Sequence, residues 1–473
     1  MNNIQLIRCY YTVLLLATVA AFQVRAEVKL PSIFGDNMVL QQQSQVAVWG
    51  WAKANASVKV TGSWNNKSYS AQSDSKGYWK VKVQTPVAGF KPYTLTISDG
   101  KAVTLKNVLI GEVWACSGQS NMEMPMKGWV APVTGGPDDI IHSTNQGIRC
   151  FTVEKASTTK PQDDCKGQWE VANPQTVPFF TATGYYFGRL INSVLNVPVG
   201  LIHTSWGGSR IEAWMTPASL KDIPEKPIPA TDADIKIQNG SPAVLYNGML
   251  NPIVGFGIRG AIWYQGESNK NEPDLYVKMF DRMVREWRNI WGVGEFPFYY
   301  CQIAPYNYGG WHPNSGYIRE AQSKGMLTPN TGMAVLMDAD SPDDIHPVKK
   351  KDAGERLALW ALAKTYGLDK IYYRSPEYKS LTVEGRVAIV SFDLFGANTL
   401  IDRGRELRNF TLAGKDKHFH SAKAALSGNK VYLFAPNVPE PVAVRYCWDD
   451  TSATELFSVE GNLPVSSFRT DSW

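Results

Sequence analysis

The residues able to do chemistry gather where apolar stretches break into small and polar ones. The first break is Ser117-Gly118-Gln119-Ser120-Asn121, just after a buried strand-like run that begins Asn107-Val108-Leu109-Ile110. A parallel strand ends in this way at the carboxyl edge of a sheet, where open α/β folds hold their ligands. A serine on such a tight turn presents its hydroxyl, and its own backbone N–H lies beside it as a donor to an oxyanion. The second break is Thr204-Ser205-Trp206-Gly207-Gly208-Ser209-Arg210, whose paired glycines let an N–H approach a ligand closely. The third, Trp263-Tyr264-Gln265-Gly266-Glu267-Ser268-Asn269, carries the donor amide of Gln265. The fourth runs from Asp338 to Pro347 and holds Asp343-Asp344-Ile345-His346-Pro347.

A serine nucleophile needs a base. His203 lies inside an apolar strand and reads as a core residue. His142 follows an acidic loop and has no evident partner. His418 and His420 fall in a late β-region, and His312 sits in a loop rich in Gly and Asn. Only His346 has a carboxylate close by, just beyond a strand end. Either Asp344 or Asp343 is spaced to orient the ring through Nδ1 and to stabilise the imidazolium. Each feature alone is ordinary, since two glycines usually make a turn and Asp-Asp usually marks a solvated loop. Together, at the ends of four strands of one α/β pattern, they are the parts of a serine hydrolase. The Gly-x-Ser-x-Gly elbow is absent. No Gly-rich phosphate loop and no Cys-x-x-Cys metal spacing is present.

The elements that must position these residues follow from the rhythm of the chain. The 473 residues are enough for two or three domains. Residues 27–106 read as short strands separated by turns, including Val46-Ala47-Val48-Trp49-Gly50-Trp51 and Trp79-Lys80-Val81-Lys82-Val83, and predict a β-sandwich. Residues 107–368 alternate strands with helices. Strands are expected near Leu201, Ile258, Phe298 and Met333, and helices over 185–192, 275–291 and 353–366. That pattern predicts a parallel sheet with helices on both faces. Five prolines between Met215 and Val244 mark a surface excursion, and residues 369–473 return to short strands.

Residues 1–26 read as a secretory signal: Arg8, an apolar run from Tyr11 to Phe22, then Val24-Arg25-Ala26 before Glu27. The mature chain is therefore expected in the periplasm or outside the cell, with no membrane insertion once the signal is removed. Cleavage takes away Arg8 and Arg25 and no acid, so the charge stays mildly positive. No basic cluster resembles a nucleic-acid footprint. Of the remaining cysteines, Cys150 and Cys165 flank a polar excursion and are the best disulfide candidates in an oxidising compartment. Cys116 and Cys301 read as buried thiols.

The four blocks Gly118-Gln119-Ser120-Asn121-Met122, Ser205-Trp206-Gly207-Gly208, Trp263 to Asn269 and Asp344-Ile345-His346-Pro347 occur in order and resemble the sialate O-acetylesterase family. These are SGNH-type (GDSL-like) carbohydrate esterases related to some acetylxylan esterases. The resemblance covers nearly the whole chain and implies a three-layer α/β/α catalytic domain that uses no metal or cofactor. It implies that Ser120 attacks the acetyl carbonyl, that His346 acts as base and then acid, and that Asp344 orients His346. The Ser120 N–H, a Gly207 or Gly208 N–H and the Gln265 side chain would form the oxyanion hole. Asn121 and Glu267 would contact substrate. Arg210, beside the glycine pair, is assigned to a sugar carboxylate, with a structural salt bridge as the alternative. The expected substrate is O-acetylated sialic acid or another acetylated glycan. A binding protein built on an inactive hydrolase fold is the alternative of another class.

Overall fold

The structure is a computed structural model, and it describes residues 28–310, 312–339 and 342–473. The expected signal segment lies outside the described residues.

One long strand, β1 (Ala102–Gly118), organises the chain. Its second half lies in the middle of a parallel sheet. On one side come β2 (Asn145–Thr152) and β3 (Val199–Ser205), with β3 between β2 and β1. On the other come β4 (Gly260–Tyr264), β5 (Phe298–Cys301) and β6 (Thr331–Ala334). The strand order is thus β6-β5-β4-β1-β3-β2, and Trp169–Ala172 adds an antiparallel edge beyond β2. After β3 the chain crosses to the opposite side of β1. That crossing makes a topological switch point, the place where ligands bind in such sheets.

Alternation along the strands builds two cores. Trp114, Cys116, Ile262, Tyr264, Tyr299 and Cys301 face one side of the sheet. There they meet α2 (Ala182–Leu195) and α5 (Lys350–Lys364), numbered after the short helix α1 (Ser120–Glu123). Val113, Ala115, Ala261, Trp263, Phe298 and Tyr300 face the other side. There they meet α3 (Pro273–Trp291) and α4 (Ser315–Lys324). Successive residues of each strand face opposite sides, and the largely apolar residues on both sides are those expected of a sheet covered twice. The expected layered α/β architecture is present.

The first half of β1 belongs to the N-terminal layers. It pairs antiparallel with Gly89–Ser98 and parallel with Val39–Gln41. The pair Gln45–Trp51 and Tyr78–Gln84 forms a second, separate two-stranded sheet. The expected boundary between 106 and 107 therefore falls within a continuous strand. A buried knot fastens the junction. Glu112 is fully enclosed and accepts hydrogen bonds from Gln41 (3.2 Å), Gln42 (2.6 Å), Arg259 (2.9 Å) and Tyr366 (2.8 Å). The C-terminal region folds into two four-stranded antiparallel sheets and a two-stranded one. Among the described residues no helix is long and apolar enough to cross a membrane.

Cys150 and Cys165 are both free thiols, contrary to the disulfide expectation. The alternation explains it. Cys150 packs in the core beneath α2, while Cys165 packs against the core on the opposite face. Cys116 and Cys301 are buried thiols, as expected. Burial pushes the thiol of Cys150 up to about 12.

Candidate active site

At the end of β1 the chain must turn against a close neighbour. A side chain on Gly118 would lie 2.2 Å from the Tyr264 carbonyl oxygen, and Gly118 has φ +138°. Glycine is what lets β1 and β4 come together here. The Gln119 N–H donates to that same carbonyl at 2.9 Å, and the Gln119 side-chain oxygen accepts from the N–H groups of Gly266 and Ser268. Ser120 then opens α1, 8% exposed. Ser120, Gly207, Gly208, Glu267 and His346 all line one cavity of ≈470 Å³, with Glu123, Trp129 and Lys155 among its other wall residues.

The glycine turn after β3 is held from both sides. The Gly207 N–H donates to Glu123 Oε2 at 2.5 Å, and the Gly207 carbonyl accepts from Asn239 Nδ2 at 2.5 Å. In a trans peptide the C=O and the following N–H point in opposite directions. Asn239 therefore fixes the direction of the Gly208 N–H, which has no hydrogen-bond partner among the described residues. Gly208 has φ +72°, in the left-handed region that glycine adopts without strain. Glu123 also pairs with Lys155 at 2.6 Å, and Lys155 lies over the ring of Trp206 at 5.5 Å.

His346 is half-buried, with its ring edge-on to Trp129 at a centroid distance of 4.9 Å. Its Nδ1 stands 3.6 Å from Asp344 Oδ1, an ion-pair distance that exceeds a hydrogen bond. The same carboxylate oxygen accepts from the His346 backbone N–H at 2.9 Å. Burial, aided by the Lys350 ammonium, holds the imidazole below the ordinary histidine range, against the opposing pull of Asp344 and Glu123. A neutral ring is the form that accepts a proton.

Beneath the cavity lies a buried polar network. Asn121 is fully enclosed; its amide donates to Glu267 Oε1 at 2.6 Å and to the Ile345 carbonyl at 3.0 Å, and its oxygen accepts from Lys350 Nζ at 2.5 Å. It thereby ties the turn after β1 to the residue preceding His346. Burial raises the Glu267 carboxyl above the ordinary carboxylate range, although Asn121 and Lys350 oppose this.

The family described as carbohydrate esterase, sialic acid-specific acetylesterase, matches residues 110–362, just over half of the chain. The chain belongs to this esterase family. A carbohydrate acetylesterase from Xanthomonas citri, known from its crystal structure, is 36% identical with a TM-score of 0.85, over 94% of this chain and all of that one. Sialate O-acetylesterases from Homo sapiens and Pongo abelii are each 29% identical over 394 residues, 74% of this chain and 73% of theirs. The protein is a carboxylic ester hydrolase, and its chemistry is the removal of O-acetyl groups from carbohydrate.

The esterase brings Ser120, His346, Gly207 and Gly208 to one cavity, and sets three expected residues elsewhere. Gln265 is fully buried, and its amide donates to the Ser209 carbonyl (3.2 Å) and to Asn269 Oδ1 (2.7 Å). Asn269, on the next turn, draws it inward and away from an oxyanion. Asn121 is likewise committed within the protein, to Glu267, the Ile345 carbonyl and Lys350. Arg210 lines a neighbouring cavity of ≈540 Å³ with Lys226 and Glu272, drawn towards buried Glu212 at 3.9 Å. Glu267 does line the cavity. Glu123, Trp129 and Lys155 were not anticipated. Glu123 was within reach, because positions three apart on a helix share a face. His203 is the core histidine expected, bonded to Ser205 Oγ at 2.5 Å and held by burial at about 4. His142 finds a partner in Asp138, its Nδ1 3.4 Å from that carboxylate.

Proposed function

We propose that the esterase removes O-acetyl groups from sialic acids through an acetyl-Ser120 intermediate. The observation that carries this reading is the meeting of Ser120, His346 and Gly208 around one cavity, from three distant parts of the chain. Ser120 Oγ attacks the acetyl carbonyl carbon while His346 takes its proton. The tetrahedral oxyanion is met by the N–H groups of Ser120 and Gly208, donors of a kind worth about 3 kcal/mol each in a dry site. His346 returns the proton to the sugar oxygen as the ester bond breaks. Water, activated by the same imidazole, then attacks acetyl-Ser120 and releases acetate. Asp344 steadies the imidazolium across 3.6 Å. Lys155 is the cation at the cavity wall, so it takes the sugar carboxylate contact first assigned to Arg210.

A second reading has its own support. Two carboxylates, Glu123 and Glu267, line the cavity against one lysine, and that balance favours the acetyl ester of a neutral glycan. Acetate release from O-acetylated sialosides and from acetylated xylo-oligomers, in parallel, separates the two. Ser120→Ala is expected to abolish release from either, and mass spectrometry of the rapidly quenched enzyme is expected to find one acetyl group on Ser120. Undiminished turnover by Ser120→Ala would end the proposal. The apolar stretch from Tyr11 to Phe22 supports export, and a mature chain beginning at Glu27 would bear that out.

A further inference from the structure

A second cavity, ≈490 Å³ in volume, lies beside the first and shares Glu267 and Ser268 with it. Its remaining wall is contributed by the loop after β5, through Tyr306, Asn307 and Tyr308, and by Lys270. Both volumes lie in the range of ligand sites, about 300–1,000 Å³.

Two polar atoms here are buried without a hydrogen-bond partner among the described residues: Glu267 Oε2 and Tyr308 Oη. Buried orphans of this kind are rare and call for an explanation. A carboxylate oxygen accepts and a phenol donates. Burial, with Glu267 close by, raises the Tyr308 phenol well above its ordinary range, so it stays a donor. Both residues line the cavity and together offer one acceptor and one donor, the two roles that sugar hydroxyls fill. The rings of Tyr306 and Tyr308 meet edge to face at 4.9 Å and supply an aromatic wall suited to the C–H face of a sugar ring.

The loop is built, not loose. The Tyr306 N–H donates to the Asp450 carbonyl at 2.7 Å, and the Asn307 N–H donates to the Pro342 carbonyl at 2.8 Å. Asp450 Oδ1 accepts from the Ser315 N–H at 2.7 Å, and Lys270 Nζ donates to the Pro313 carbonyl at 2.6 Å. The C-terminal β-region thus holds the wall in place.

We propose that this cavity is a subsite for a neutral pyranose joined by a glycosidic bond to the acetylated sugar at Ser120. The proposal rests on the esterase reading of the first cavity. A neutral ring is specified because the cavity offers an aromatic wall together with single hydrogen-bonding groups, which suit a C–H face and hydroxyls. The enzyme then prefers linked sugars to free ones.

The test compares kcat/KM for acetate release from mono-O-acetylated xylobiose and from mono-O-acetylated xylose. O-acetylated sialyl-lactose and free O-acetylated sialic acid form a second pair. The linked member of the pair that the enzyme turns over is expected to exceed the free one by about tenfold. Tyr308→Phe keeps the ring and removes only the donor, and should lower that ratio about fivefold. Tyr306→Ala should bring it near unity. A wild-type ratio near unity, or variants that lower both members in equal proportion, would overturn the subsite while leaving the esterase reading intact. No Ser120-dependent release from any substrate, 4-nitrophenyl acetate included, would remove both.

Discussion

Replacing Asn121 by Ala tests whether the buried network positions the base. The wild-type side chain serves three partners: Glu267 Oε1, the Ile345 carbonyl and Lys350 Nζ. Ile345 is half-buried, so water can serve its carbonyl in the variant. Glu267 and Lys350 are buried and charged, and a hydrogen bond to a charged group contributes about 1.5–3 kcal/mol. Two such losses, partly offset as Lys350 moves towards Glu267, set the destabilisation at about 3 kcal/mol. That is a sizeable part of a typical total stability of about 5–15 kcal/mol. The catalytic effect is separate. Freed from Asn121, Ile345 no longer anchors the turn that carries His346, and misplacement of the base by about 1 Å lowers rates by about 100-fold. The expectation is a kcat on 4-nitrophenyl acetate reduced about 100-fold, at temperatures where the variant is folded, with KM changed far less. Asn121→Asp supplies a second readout. It places a carboxyl where the amide stood 2.6 Å from Glu267, whose own carboxyl burial already holds high. With one Lys350 ammonium against two buried carboxyls, the pair favours sharing a proton over ionising together, so the folded pKa of one of them lies above its unfolded value. Stability from such a group is present at acid pH and lost as pH rises through the folded pKa. The Asp variant should therefore melt closer to wild type in acid than at neutral pH. A destabilised Asn121→Ala with normal kcat would refute the positioning role; an Asp variant that tracks wild type at every pH would refute the network.

Three further outcomes follow from the site. Because burial and Lys350 hold His346 below its ordinary range, the plateau of kcat/KM should extend below about pH 6.5 before falling on the acid side. Asp344→Asn removes an opposing pull and should carry that acid limb to still lower pH; a limb moved upward would contradict it. Asn239→Ala releases the Gly207 carbonyl and frees the Gly208 N–H to turn, so kcat should fall about tenfold, short of the loss from a removed oxyanion donor, with KM little changed. Arg210→Ala should leave the KM for acetylated sialosides within about twofold of wild type, while Lys155→Ala should raise it by about tenfold, the reach of one charge-assisted hydrogen bond. The reverse order would restore the first assignment.

The reach of sequence reasoning follows from what a parallel sheet imposes. Strands running the same way must end at one edge, so the polar tips after Gly118, Ser205, Tyr264 and Ala334 were bound to approach one another once the alternation was recognised. That is why Ser120, Gly207, Gly208 and His346 could be picked out together. Which tip atoms face the cavity is decided by packing, which leaves no period in the sequence. Gln265 reads as a donor until Asn269 is seen to draw its amide inward. Arg210 reads as a ligand contact, yet it lines the next cavity, 3.9 Å from Glu212. Asn239 comes from a proline-rich excursion whose path over the glycine turn has no local signal. The disulfide expectation failed on a similar point, since the spacing of Cys150 and Cys165 says nothing of which face of the sheet each occupies.

Glu123 raises an electrostatic conflict that the geometry also answers. A carboxylate in the cavity opposes an oxyanion forming at Ser120. Yet Glu123 is ion-paired to Lys155 at 2.6 Å, and its other oxygen is bound by the Gly207 N–H at 2.5 Å. Its charge is thus countered on one side and hydrogen-bonded on the other before substrate arrives. A side chain on Gly207 would come within 3.2 Å of that carboxylate and 3.3 Å of Ser120 Cβ, so the glycine is what admits this three-way approach. With its N–H bound to Glu123 and its carbonyl bound to Asn239, Gly207 is clamped at both ends of the residue. The neighbouring Gly208 N–H is then the donor with a fixed direction and no competing partner among the described residues, and a donor oriented in advance is the kind that stabilises charge without reorganising. Under the proposed mechanism Glu123 gives up one of the two candidate glycine donors and, with Asn239, makes the other rigid.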